Sequence, residues 1–266
     1  MKFLSRKEAL PLPQLATKHA ILNEKEMELA YGQQINQTIS PKDEMHDGDM
    51  SHYLRVAYSG LRYINLSLLA AGSPVPRTIL DLPCGHGRML RLLKVAFPQS
   101  EFTVADLSRD AVDFCAANFD AKAVYSTPSP DQINLTRTFD LVWCGSLLTH
   151  LSADRWPGFL EFFCERLNPG GLAVFTTHGL VTADWLGTGR YLYGLQPPEE
   201  AEQLLIEYQA TGFGYADYGP EGDYGISLSS TAWVCERLTQ VTGWRLVAYF
   251  PRAWDSHQDV WACQRI

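Results

Sequence analysis

Ile79-Leu80-Asp81-Leu82-Pro83-Cys84-Gly85-His86-Gly87-Arg88-Met89-Leu90 decides how this chain folds. A hydrophobic strand runs into an acid, then into a tight Gly-x-Gly loop, and the loop opens a helix. Glycine belongs where a loop bends sharply or where backbone must lie against a ligand, because it has no Cβ to stand in the way. Two phosphate-binding loops share the Gly-x-Gly core, and the flanking residues exclude both. A dinucleotide loop wants a third glycine three residues after the second, where Leu90 stands, and a P-loop ends in Gly-Lys-Ser/Thr, where this chain has Arg88-Met89.

Asp81 narrows the ligand further. A carboxylate at the loop mouth repels a pyrophosphate and suits a ligand carrying positive charge, such as an amino acid-like sulfonium. Three downstream segments accompany it: Phe102-Thr103-Val104-Ala105-Asp106-Leu107-Ser108, a strand ending in an acid; Phe139-Asp140-Leu141-Val142-Trp143-Cys144, another buried-type strand; and Leu167-Asn168-Pro169-Gly170-Gly171-Leu172, a turn before a further strand. In this order, the four segments resemble the motifs of the class I S-adenosylmethionine-dependent methyltransferases, across about residues 78 to 177.

The resemblance implies roles. Asp81 holds the methionine amino group of S-adenosylmethionine, directly or through a water, and Pro83, Cys84, Gly85 and Gly87 form the loop around it. Asp106 lies about 20 residues beyond the loop, the spacing at which an acid meets ribose hydroxyls, and it can also cap the helix that begins near Ser108. Leu107 flanks it. The acid that the family often carries near the adenine is replaced by Ser126-Thr127, so Ser126, a backbone amide or Asp131 supplies that contact. Trp143 and Gly145 line the methyl-transfer zone, with Ser146 as a hydrogen-bond donor. Amino-directed nucleic acid methyltransferases often carry Asn/Asp-Pro-Pro-Tyr/Phe here, and this chain has Cys144-Gly145-Ser146-Leu147.

Working outward, the first fifty residues are polar, are interrupted by Pro11, Pro13 and Pro41, and end in a solvated run over 42–49. Leu54, Ala57, Leu61, Ile64, Leu68 and Ala71 then recur at three- and four-residue spacing, an amphipathic helix closed by Gly72. Beyond Pro76, strands over 78–82, 102–105, 123–125, 140–144 and 172–177 alternate with helices, the pattern of a parallel sheet covered on both faces. The helix over 153–167 takes Ser152 as its cap and Gly170 just past its end; the last helix, over 231–241, takes Ser230. Two strands, over 245–250 and 259–263, end the chain. The expected fold is α/β: a Rossmann-like doubly wound sheet of seven strands, mostly parallel with an antiparallel last strand, helices on both faces, an N-terminal helical cap and an inserted lid. The domains divide as 1–75, the cap, and 76–266, the methyltransferase domain, with the lid over about 179–225. The lid region is rich in glycine and in Trp185, Tyr191, Tyr193, Tyr208, Phe213, Tyr215 and Tyr218. It reads as a substrate lid above the strand ends or as a packed insert with an aromatic core.

Composition sets limits. With 266 residues and 46% hydrophobic content the chain buries one substantial core, and a net charge of −8 argues against an electrostatic grip on DNA or RNA. Six scattered cysteines with no Cys-x-x-Cys pair read as free thiols. No continuous apolar stretch follows Lys2, Arg6 and Lys7, so a cytoplasmic protein with no membrane partner is expected. No metal is required, since a sulfonium methyl is already electrophilic; a hydroxyl acceptor needs alignment and a base. Histidine suits that role. His178, at the end of the fifth strand where the lid begins, is the leading catalytic candidate, with packing as its alternative role. His150 is the second, weighed against a structural link from loop to helix. His86 is expected beside the cofactor, and His257 at the pocket edge or in water. The expected function is methyl transfer from S-adenosylmethionine to a small molecule, most readily O-methylation of a sugar-containing or secondary-metabolite acceptor. The alternatives are small-molecule N-methylation and a non-catalytic cofactor-binding module.

Overall fold

The computed structural model describes residues 22–196, 198–219 and 224–266. Strand β1 (Thr78–Asp81) pairs in parallel with β2 (Glu101–Asp106) on one side and β4 (Phe139–Cys144) on the other. Flanked by strands and covered on both faces, its central residues Ile79 and Leu80 are both apolar and buried, without alternation. With β3 (Lys122–Tyr125), β5 (Leu167–His178), β8 (Trp244–Trp254) and β9 (Gln258–Arg265), the sheet order is β3-β2-β1-β4-β5-β9-β8, and β9 runs antiparallel to both of its neighbours. This is the seven-stranded sheet expected from the sequence. Strand order reverses direction between β1 and β4, which opens a crevice above their carboxyl ends.

Successive strand residues feed opposite cores. Ile79, Leu141 and Val174 join one cluster with α2 (Met50–Ala71) and α3 (Leu90–Ala96), while Leu80, Val142 and Phe175 join another with α5 (Trp156–Glu165) and α8 (Thr231–Gln240). Helix α2 starts where Asp49 accepts the Ser51 and His52 amides and stops at Gly72, whose φ of 63° is the left-handed cap. Trp254 ties α2 to the sheet: its indole N–H donates to the Val56 carbonyl at 2.9 Å. Helix α4 (Arg109–Phe119) is capped by Ser108 and α8 by Ser230, both as expected.

Three expectations change. Ser152 does not cap α5; its hydroxyl bonds Asp154 at 2.5 Å, a single 3₁₀ turn covers Ala153–Arg155, and the helix proper starts at Trp156. Strand β5 begins at Leu167, so Gly170 and Gly171 bend a strand instead of ending a helix. A Cβ on Gly171 would lie 2.8 Å from the Asn168 and Phe139 carbonyl oxygens, which requires glycine there. The run over 42–49 is not wholly solvated: Asp43 is buried and accepts the Tyr53 hydroxyl at 2.6 Å. Pro11 and Pro13 lie outside the described residues. The N-terminal part that is described forms α1 (Glu24–Tyr31), closed at its start by an Asn23–Glu26 capping box.

The region expected as a glycine-rich lid is a folded insert: α6 (Leu180–Gly187), α7 (Pro198–Thr211) and a hairpin of β6 (Phe213–Asp217) and β7 (Gly225–Ser229). Its small core is chiefly aliphatic, built from Ala183, Leu186, Leu195, Leu204, Ile226 and Leu228. Many of its aromatic rings are thereby left for the mouth of the crevice. All six cysteines are free, and no helix among the described residues is long and apolar enough to cross a membrane.

Arg91 joins the N-terminal region to the glycine loop. Fully buried, it donates to the carbonyls of Gly87 (3.1 Å), Asn36 (2.7 Å) and Thr38 (3.2 Å). Arg91→Met keeps the stem and strips these carbonyls of their donor, at about 1–3 kcal/mol for a buried polar group left unpaired. Urea denaturation should show a loss of that order; an unchanged midpoint would mean that the cap does not depend on Arg91.

Candidate active site

The crevice is lined by side chains at strand ends. At the end of β1, Asp81 is 1% exposed and neither of its carboxylate oxygens has a hydrogen-bond partner among the described residues. Burial, and then the negative charge of Asp106, holds its pKa well above the usual carboxylate range. A buried, unpartnered carboxylate costs stability, and a cationic ligand group would satisfy it. Asp106 is employed differently. One oxygen accepts the Gly85 amide at 2.9 Å and the other accepts the Ser108 amide at 2.9 Å. It therefore clasps the glycine loop to the end of β2, and Ser108, not Asp106, caps α4 through the Ala111 amide at 3.3 Å.

The glycines divide by cause. Gly85 has a φ of +47°, and a Cβ there would meet nothing within 4 Å, so it borders open space. Gly87, expected to border the ligand, is instead required by packing: its φ is +84° and a Cβ would lie 2.9 Å from the Phe119 ring. Gly145 is also a packing glycine, with the Trp254 ring 2.7 Å from its would-be Cβ. Trp143, 1% exposed and edge-on to Trp254 with centroids 5.4 Å apart, lies in the core instead of lining an open zone. Pro83 is half-buried in the loop. Cys84 is buried, and its backbone donates to Ala105 (3.0 Å) and accepts from Gly87 (3.0 Å), which makes it part of the loop's own frame. Leu107 is exposed beside Asp106. The Ser126 amide donates to the Asp106 carbonyl at 2.9 Å, which keeps Ser126 next to that acid, whereas Asp131 lines a groove against α5. His86, expected beside a cofactor, is drawn to α4 by Asp110 at 3.1 Å.

At the end of β5 three histidines converge. His178 is 3% exposed, with ring centroids 6.3 Å from His150 and 5.9 Å from His257. It hydrogen-bonds the Ser227 backbone, and its Nδ1 is buried without a partner among the described residues. The tautomer that satisfies both facts carries its proton on Nε2 and a lone pair on Nδ1. Burial, then the charges of His150 and His257, holds His178 well below the ordinary histidine pKa. His150 donates from Nδ1 to the Gly225 carbonyl at 2.7 Å and is also lowered by burial. His257 bonds the Asp255 carbonyl at 2.9 Å and stacks on Trp185 at 5.2 Å. Each ring is thus anchored by one nitrogen to backbone.

Sequence reasoning did not find what sits around them. Tyr224 stacks on His150 at 4.7 Å, and Asp106 and Glu44 lie within electrostatic reach of its hydroxyl, so the insert bridges the loop side and the histidine side of the crevice. Gln258, the cross-strand partner of His178, belongs to a closed ring of bonds: Ser146 amide to Thr176 Oγ1 (2.8 Å), Thr176 Oγ1 to Gln258 Oε1 (2.6 Å), Gln258 Nε2 to Ser146 Oγ (2.8 Å). Ser146 has a φ of +55°, a conformation costly for serine and frequent at functional sites.

Residues 80–173 match a family described as a methyltransferase domain. Over 132 residues the chain is 26% identical to the malonyl-[acyl-carrier protein] O-methyltransferase of Anoxybacillus flavithermus (strain DSM 21510 / WK1), a match covering 49% of this chain and 50% of that protein. The chain thus spans about half the length of the curated relative it matches. DesVI of Streptomyces venezuelae superposes with a TM-score of 0.54 at 14% identity, covering 80% of this chain and 93% of that one. N-methyltransferase NodS of Bradyrhizobium japonicum WM9, solved with S-adenosyl-L-homocysteine, gives 0.51 at 12% identity over 90% and 98%. At these identities the likeness to DesVI and NodS is one of fold.

Asp81→Asn tests the unpaired carboxylate directly. A carboxyl whose pKa is raised in the folded state binds a proton there that the unfolded chain has released, so its contribution to stability falls as pH rises above about 3.9. The variant should match the parent in acid and exceed it towards neutral pH by about 1–3 kcal/mol, read as thermal midpoints across pH. A variant less stable than the parent at neutral pH would mean that Asp81 is paired.

Proposed function

We propose that this chain, whose residues 80–173 match a methyltransferase domain, is a class I S-adenosylmethionine-dependent methyltransferase that transfers the sulfonium methyl of S-adenosylmethionine to a hydroxyl of a small molecule, in the class of sugar-containing or secondary-metabolite acceptors. The observation that carries the oxygen target is His178: an imidazole held neutral, with an unshared lone pair on Nδ1, at the carboxyl end of β5. A nitrogen acceptor has its own lone pair once neutral; a hydroxyl needs a base.

The residues fit the donor. Asp81 offers an unsatisfied carboxylate to the methionine ammonium, Gly85 leaves the backbone uncovered, and the second lone pairs of Asp106 remain for the ribose hydroxyls. Pro83, Cys84 and Leu107 wall the loop side, and Ser126 stands on the adenine side. Trp143 and Gly145 pack against Trp254 and support the crevice from the core. When bound, S-adenosylmethionine supplies an electrophilic methyl on a neutral leaving group. His178 accepts the acceptor's proton at Nδ1, and His150 sits beside it as a second imidazole whose Nε2 is available to relay or hold that proton. The Gly225 and Ser227 carbonyls keep both rings fixed, so little reorganisation accompanies the transfer.

We assign residues 1–75 to a cap, 76–266 to the methyltransferase domain, and about 179–225 to its lid. Because the Tyr193 ring packs on His178 at 5.0 Å, entry of an acceptor requires the segment of the insert that carries Tyr193 to move, while β7 keeps its hold on the histidines. The unpaired thiols suit a cytoplasmic setting.

His178→Ala should leave S-adenosylhomocysteine affinity nearly unchanged and lower turnover by about 10²- to 10⁴-fold. Since the folded pKa of His178 is depressed, the parent should keep its activity through the ordinary histidine range and lose it only in more acid solution, where the ring gains a proton. Turnover that survives in His178→Ala and collapses in His150→Ala would transfer the role to His150.

A further inference from the structure

The rings at the crevice mouth form one connected uncharged wall. Tyr193 lies 5.0 Å from His178, Tyr191 4.6 Å from Tyr193, Tyr224 4.7 Å from His150 and Tyr218 5.5 Å from Tyr224. Burial raises the hydroxyl pKa of Tyr193, to about 12, and that of Tyr218, so both stay neutral. The wall is partly presented to solvent, with Tyr224 56% and Tyr191 58% exposed, although such rings ordinarily bury. Tyr224 lies nearly parallel to the His150 ring, at 24°. A planar ring is therefore already accepted as a stacking partner on His150, whose ring lies 6.3 Å from that of His178, and it is supplied by the insert.

Resting on the O-methylation reading above, we propose that the acceptor is a phenol: a planar aromatic compound whose ring stacks among the tyrosines and histidines of this wall, with its hydroxyl at His178 Nδ1 and Ser146 Oγ. The hydroxyl of Ser146 accepts from Gln258, so its own hydrogen is free to donate to the phenol oxygen as negative charge develops there. The step balances simply. The phenol O–H proton passes to His178 Nδ1, the oxygen lone pair bonds to the methyl carbon, and the methyl–sulfur pair returns to sulfur, leaving the aryl methyl ether and the neutral thioether.

Acid strength decides between phenol and alcohol. A histidine depressed by burial is a weak base, and proton transfer is efficient only when the partner is acidic enough. A phenol, at about 10, is far nearer to it than an aliphatic hydroxyl, which resembles water at about 16. A sugar also presents several hydroxyls that need polar partners, and this wall offers mostly ring faces.

The test is a competition assay on the full chain with S-adenosylmethionine, using a panel of mono- and bicyclic phenols, glycosides, aliphatic alcohols and amines, with methylated products identified by mass. Phenols should be methylated at least about 10²-fold faster than alcohols or glycosides. Tyr224→Ala should raise KM for the phenol about tenfold while S-adenosylhomocysteine affinity is unchanged; Tyr224→Phe should restore KM. Faster methylation of glycosides or alcohols, dependent on His178, would overturn the phenol and leave O-methylation standing. Methylation of amines alone, or no product from any class in a protein that binds S-adenosylhomocysteine, would overturn both.

Discussion

A carboxylate buried without a partner is the constraint on which the rest of the site depends. Asp81 ends β1 at the centre of the sheet, 1% exposed, and nothing among the described residues pairs with it. A fold that retains such a group forgoes stability, and it does so where the missing partner is a ligand. Its neighbour Asp106 shows the contrast. The same residue type, one strand over, spends one lone pair on each oxygen to hold the loop amides of Gly85 and Ser108. One acid builds the loop and the other stays unpaired beside it, its pKa raised by burial and then by the charge of Asp106.

The second half of the site is assembled by topology. Parallel strands end at one edge, so β1, β2, β4 and β5 deliver Asp81, Asp106, Gly145 and His178 to the same crevice although they are spread over about 100 residues of chain. The antiparallel β9 then returns Gln258 beside His178, and its preceding turn places His257 against Trp185. The insert after β5 folds around aliphatic residues of its own, with Tyr193 packed between that core and His178, and leaves Tyr191, Tyr218 and Tyr224 outside it. Acid handling and ring stacking therefore come from different parts of the chain and meet only in the fold.

What could be read in advance follows from the range of the interactions. The loop, its acid and the sheet were legible because β1, the glycines and the caps at Ser108 and Ser230 are local signals. The causes at Gly87 and Gly145 were not, because the Phe119 and Trp254 rings that exclude a side chain there come from α4 and β8. The start of β5 was misplaced because Asn168-Pro169-Gly170-Gly171 has turn composition, while the strand is held through it by pairing that resumes at Leu172. His178, His150 and His257 stood out by position and residue type, whereas Gln258 and Tyr224 beside them carried no local mark. Gly-rich composition hid the hairpin of β6 and β7, whose close backbone approach at Gly225 is itself the reason for a glycine.

The claim that Asp81 awaits a cation is tested most directly by calorimetric titration of S-adenosylhomocysteine in buffers of different ionisation enthalpy, from mildly acid to neutral pH. A buried carboxyl with a raised pKa must release its proton when an ammonium docks on it. The heats should therefore depend on the buffer, reporting net proton release that fades as pH rises and Asp81 ionises unaided, and binding should be lost in Asp81→Asn. Binding with no buffer dependence at any pH, and undiminished in Asp81→Asn, would contradict the account.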